Sequence, residues 1–177
     1  MGRVSELVSE YTALIHPCRS TDYAAYARET SETFQSFRAA IGGLEDIEDE
    51  IVQGLSGLRF NREWRDVMLW LIAADECATS SLVRPLCDLL DIRDEYVQHE
   101  WIAETLGEIG SPDAIDSLSK ACEFDLPNDV FRSLSKKCLD SLMEIGTPDA
   151  IAEIRSHLSS PWIAVSEYAK ELLDEAT

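Results

Sequence analysis

Residues 108–115 read EIGSPDAI, and residues 144–151 read EIGTPDAI. The two stretches agree at seven of eight positions and lie 36 residues apart. Each residue in them has a structural use. Gly110 and Gly146 suit the left-handed conformation that ends a helix. Ser111 and Thr147 are N-caps, Pro112 and Pro148 take the first helical position, and Asp113 and Asp149 suit the positive end of the helix dipole. Ala114-Ile115 and Ala150-Ile151 then open an apolar stripe. The stretch is a helix–tight turn–helix corner written twice. A repeat near 36 residues points to stacked helical hairpins.

Working outward, helical spacing recurs along the whole chain, with no sustained alternation and no Asn-Gly or Asp-Gly hairpin. Val4, Leu7, Val8, Tyr11, Leu14 and Ile15 predict a first amphipathic helix stopped by Pro17. Thr21 is placed to cap a second, with Tyr23, Ala27, Thr30, Phe34, Phe37 and Ile41 on its stripe and Gly42-Gly43 at its end. Ile47, Ile51 and Leu55 predict a third, with acids clustered at its start. Asn61 is placed to cap a fourth through Trp64, Val67, Met68, Leu71 and Ile72. A fifth runs from Ser80 to Leu90 with Pro85 near its first turn, where the missing N–H is tolerated. A sixth is expected from Asp91 or Asp94 through Ile109. Two hairpin helices follow the corners, and a last helix runs from Trp162 to Glu175.

The 177 residues are 45% apolar, enough for one sizeable core. No apolar run approaches the ~20 residues of a membrane span. The opening MGRVSE lacks a basic segment followed by a long apolar stretch, so no secretory signal is expected. Five cysteines form no C-x-x-C pair, which predicts reduced, mostly buried thiols and a cytoplasmic location. The net charge is −19. Residues 1–40 carry five acids against four Arg, whereas residues 41–100 carry 14 against five and residues 101–177 carry 15 against six basic residues. Such a surface repels phosphate backbones and anionic lipid, which argues against nucleic-acid and membrane partners. It attracts a basic protein.

The stretch WIAETLGEIGSPDAIDSL (101–118) resembles the HEAT-like repeats of the phycobilin-lyase type. Their unit is an alanine-rich helix ending Leu-Gly-x-Ile-Gly, then Asp-Pro-x-Ala-Ile/Val-x-x-Leu. The resemblance covers 94–124 strongly and 130–159 well. It is faint over 62–91, where LVRPLCDLL looks like the second helix of a unit. The resemblance implies an all-α fold, a right-handed α-solenoid of about ten helices in stacked antiparallel pairs. A single domain over 1–177 is expected, with 1–58 as divergent N-terminal helices or a cap and 59–177 as HEAT-like repeats.

His99-Glu100 resembles the His-Glu pairs of deoxyhypusine hydroxylase, a HEAT-like enzyme that holds two irons. That family closes four pairs around its metals. Here there is one, and Ser135-Lys136 stands at the aligned position of the next unit. Gly107 follows His99 by eight residues where the family has seven, a rotation of ~100° about the helix. The expectation is a packed histidine and no metal site. There is no phosphate-binding glycine loop, and no nucleophile beside a helper histidine can be assembled. No catalytic residue and no cofactor is expected. The HEAT-like DNA glycosylases use a basic groove, the opposite of this chain.

Recognition remains. A solenoid presents one helix of each unit along an extended surface. The carboxylates expected there are Asp113, Asp116 and Glu123, then Asp149 and Glu153, with Asp88, Asp91, Asp94 and Glu95 upstream. Trp101 and Trp162 are candidate aromatic anchors. This profile fits a non-enzymatic, acidic inhibitor of a basic protein, as immunity proteins that neutralise nuclease toxins are. The alternatives are a phycobilin-lyase-like subunit and an adaptor in a larger assembly. Function is expected on residues that differ between the copies: Asp116 against Ala152, Lys120 against Ser156, Trp101 against Lys137.

Overall fold

A computed structural model describes residues 2–15, 23–58, 64–94, 97–127 and 129–176. Among them the chain is all-helical: α1 (Arg3–Leu14), α2 (Tyr23–Ile41), α3 (Glu48–Gly57), α4 (Trp64–Cys77), α5 (Val83–Leu90), α6 (His99–Ile109), α7 (Ile115–Cys122), α8 (Ser133–Ile145), α9 (Pro148–Ser156) and α10 (Ile163–Glu175). The expected caps Thr21 and Asn61, and Pro17, lie outside the described residues. No described helix is long and apolar enough to cross a membrane. The helices form two compact units, residues 1–77 and 78–177.

In the first unit α1, α2 and α3 all pack on α4. Val67 and every residue from 69 to 74 are buried. A helix that is apolar all round belongs in the middle of its neighbours, and VMLWLIAA has that composition. Trp70, which the amphipathic reading left out, is buried with its ring against Gly54 of α3. Glu50 of α3 reaches across to α1 and accepts from the amides of Val4 (2.8 Å) and Arg3 (3.2 Å). It satisfies donors that the first turn of α1 cannot satisfy itself. Arg38 is held between Asp75 (2.6 Å) and Glu76 (2.6 Å).

The second unit is a two-layer stack. α6, α8 and α10 lie one on another, and so do α5, α7 and α9. The repeated corner performs as its residues dictate. Gly110 and Gly146 take φ +68° and +64°. Ser111 Oγ accepts from the Asp113 amide (3.3 Å), and Thr147 Oγ1 from the Ala150 amide (3.2 Å). Ala114 and Ala150 are fully buried behind each corner. One corner opens on a single 3₁₀ turn before α7, the other directly on α9.

α6 begins at His99, later than Asp91 or Asp94. The histidine explains it. Its Nε2–H donates to the Ile92 carbonyl at 2.8 Å, and its ring stands edge-on to Phe124 at 6.4 Å. That bond ties the start of the α5–α6 connection back to the first turn of α6, and His99 is buried there.

α6 and α8 make the tightest approach in this unit. A Cβ built on Gly107 would sit 2.9 Å from the Ser141 Cα. Ser141 Oγ donates to the Ala103 carbonyl across the interface at 2.7 Å. Alanine favours a helix over glycine by ~1 kcal/mol, but forcing an atom against a backbone costs about 1–3 kcal/mol. Gly107→Ala is therefore expected to lower stability by ~1 kcal/mol, read from the urea midpoint. A midpoint that stays or rises contradicts the close approach.

Candidate functional site

The layer α5–α7–α9 carries most of the carboxylates expected to face a partner. Asp88 lies near the end of α5 and Asp91 just after it. Asp113 lies in the corner and Asp116 on the first turn of α7. The stacking of α5 on α7 brings these four to one groove of ≈ 510 Å³. Asp91, Asp113 and Asp116 are exposed, and Asp88 is half-buried beside Arg84 at 3.2 Å. The groove's other cation is Lys120. An adjoining cavity of ≈ 460 Å³ shares Asp91 and Lys120 and extends the band to Glu123 and His157.

Glu123 and Glu153 are committed within the fold. Glu123 Oε1 accepts from His157 Nδ1 at 3.0 Å, and Glu153 Oε2 accepts from Ser119 Oγ at 2.7 Å. Ser119 Oγ also lies 3.3 Å from His157 Nε2. With Ser119 donating to Glu153, its oxygen is free to accept from His157, so a doubly protonated imidazole fits the whole chain of bonds. Beneath it Cys122 is buried at the end of α7. Its thiol donates to the Ser135 carbonyl at 3.7 Å, and the neighbouring Cys138 thiol, with His157, draws it down to about 7 against the cost of burial, while Cys138 itself is driven well up by burial. The His157 imidazole is raised, first by the neighbouring Cys122 sulfur and then by Glu123, against the cost of burial. This cluster clamps α7 to the end of α9. Cys87, Cys122 and Cys138 are buried thiols, Cys77 is a half-buried one, and Cys18 lies outside the described residues.

The remaining expected residues are dispersed. Asp149 is exposed on the first turn of α9, outside these cavities. Glu95 lies outside the described residues. Asp94 and Trp101 line a different groove of ≈ 960 Å³, between α6 and the loop that joins α7 to α8. Trp101 is half-buried, and Lys137, its counterpart in the next unit, lines the same groove and donates to Glu104 at 3.0 Å. Trp162 is 36% exposed under the Arg132 guanidinium, 3.4 Å from its ring centre.

Sequence reasoning passed over the α7–α8 loop. Val130 and Phe131 there are 78% and 81% exposed. The signal was two large apolar residues side by side, Val130-Phe131, directly after the turn-forming run DLPND. They follow no helical period, so a search for stripes did not register them.

The family model for the PBS lyase HEAT-like repeat matches residues 99–124, the span of α6, the first corner and α7. Residues 99–124 thus form one HEAT-like repeat. No curated protein matches the chain. The HEAT-like unit accounts for the corner and the buried stripes. Asp116, Lys120 and Trp101, which differ between its copies, all line grooves.

The clamp between α7 and the end of α9 should be visible by titration. A histidine whose folded pKa lies above its unfolded value of ~6.5 contributes stability that is fully present below that value. The contribution is lost as pH rises through the folded value. An NMR titration should give His157 a midpoint above the unfolded one, and Glu123→Gln should move it down. A midpoint at or below the unfolded value would contradict the geometry.

Proposed function

We propose that this protein is a non-enzymatic interaction module that binds a basic protein, as an immunity-type inhibitor of a nuclease toxin does. The observation that carries this reading is the meeting of Asp88, Asp91, Asp113 and Asp116 in one groove between α5 and α7. Against them stand Arg84, already paired with Asp88, and Lys120. An exposed carboxylate contributes little to affinity alone, at most ~1 kcal/mol. Several of one sign, on a chain of net charge −19, produce a field that speeds encounter with a cationic surface and rejects anionic ones. A lysine- or arginine-rich protein suits that field. Residues 78–177 supply the rigid helices on which it is mounted.

A phycobilin-lyase-like role has one observation in its favour. The ≈ 960 Å³ groove beside Trp101 is at the upper end of the range for small-molecule sites. The carboxylates Asp94, Glu100, Glu104 and Asp129 around it disfavour an anionic tetrapyrrole. That role predicts visible absorbance on incubation with bilin, retained through gel filtration.

The test uses the whole chain as bait in its native host extract, beside a variant with Asp88, Asp91, Asp113 and Asp116 all changed to Asn. The wild type should retain a basic protein that the variant releases. The purified pair should lose affinity about tenfold or more between ~0.05 and ~0.3 M salt. Binding that ignores both salt and the four substitutions would sink the proposal.

A further inference from the structure

Four of the six large apolar side chains most exposed in the described structure are Val130, Phe131, Trp162 and Ile163. They cluster at the α7–α8 loop and the start of α10. The ≈ 960 Å³ groove beside Trp101 and a cavity of ≈ 370 Å³ beside Trp162 share Leu126, Pro127, Asp129 and Val130 as walls. The loop thus stands as a ridge between two hollows.

The ridge is built rigidly. Arg132 sits at φ +56°, a left-handed conformation for a residue with a side chain. Such a conformation costs ~1–3 kcal/mol and persists only where its surroundings impose it. Here they do. The buried guanidinium donates to the Phe124 carbonyl (2.8 Å) and to Asp125 (2.8 Å), and its face covers Trp162. Asp129 accepts from the amides of Ser133 (2.6 Å) and Leu134 (3.2 Å), capping α8. Val130 and Phe131 are held between these two fastenings with their side chains in solvent. A pre-organised apolar surface loses little entropy on binding.

Charge selects the occupant. Asp94, Glu100, Glu104 and Asp129 line the larger groove, and Asp125 the smaller. Against these five carboxylates stand three cations, Arg93 over Phe124 at 4.4 Å, Lys137 paired with Glu104 and Arg132 paired with Asp125, so both hollows are net negative. A second copy of the chain would bring another net charge of −19 to the same place, so self-association is opposed.

We propose that the groove between α6 and the α7–α8 loop seats an apolar anchor residue carried on a lysine- and arginine-rich segment of the partner. The anchor packs against Trp101, Val130 and Phe131 while the flanking cations meet the carboxylates of the rim. The inference rests on the reading of the partner as basic and adds a second contact, separate from the α5–α7 groove.

The test measures binding of a short labelled amphipathic peptide, leucines on one face and lysines on the other, by fluorescence anisotropy. Two control peptides replace its leucines with serine or its lysines with glutamate. The wild-type chain should bind the parent peptide about tenfold or more tightly than either control. The exposed changes Val130→Ser and Phe131→Ser should erase the preference for leucine, with circular dichroism and urea midpoint unchanged. Equal binding of the parent and serine peptides overturns the groove and leaves the charge reading standing. Equal binding of the parent and glutamate peptides overturns the basic occupant. Binding of none of the three overturns the proposal, as does concentration-dependent dimerisation that Phe131→Ser abolishes.

Discussion

The second unit depends on how closely α6 and α8 approach. Only glycine at 107 leaves room for the Ser141 backbone, and the Ser141 hydroxyl makes the interface polar at one buried point by donating to the Ala103 carbonyl. Ser141 is itself buried, and a hydroxyl left unpaired there would cost about 1–3 kcal/mol, so the bond to Ala103 lets the serine both fit and be satisfied. One layer over, Ser135 does the same for α7, donating to the Cys122 carbonyl at 2.7 Å. With α6 and α8 fixed, the two corners place α7 and α9 in the other layer. The grooves are by-products of that placement. One lies where α5 meets α7, and the other where the α7–α8 loop overhangs α6.

The corner was the most legible part of the molecule because each of its residues answers a local demand: a left-handed residue, a cap, a first-turn proline, a small buried residue. Local demands can be read from local sequence. α4 was harder, since burial on every side removes the stripe that marks a helix face, and Trp70 was lost in a run that is apolar throughout. The start of α6 was misjudged because His99 ends the connection through a bond to Ile92, seven residues back. His157 illustrates a tertiary limit more plainly. Its partners Glu123 and Ser119 lie more than thirty residues away in sequence.

Among the acids expected to face a partner, the helix stack sorts free from committed. Asp113 and Asp116 stand exposed at one groove, whereas Glu153 bonds Ser119 and Glu123 bonds His157. Spacing along a helix gives the face a residue occupies, not whether a neighbouring helix has already claimed it. The α7–α8 loop shows the converse. Its apolar pair is conspicuous only once Arg132 and Asp129 are seen to fasten both ends. A net charge of −19 works against compactness, and ion pairs such as Arg38 with Asp75 and Glu76 offset part of that repulsion.

The central claim is that the helix stack is a support and that recognition belongs to the exposed groups mounted on it. An amide-resolved NMR titration of the whole chain with a lysine-rich peptide addresses it most directly. The account predicts shifts concentrated in residues 84–94, 113–124 and the α7–α8 loop, with the buried amides of α8 unmoved. Shifts centred in residues 2–58, or spread evenly over every acidic stretch, would contradict it.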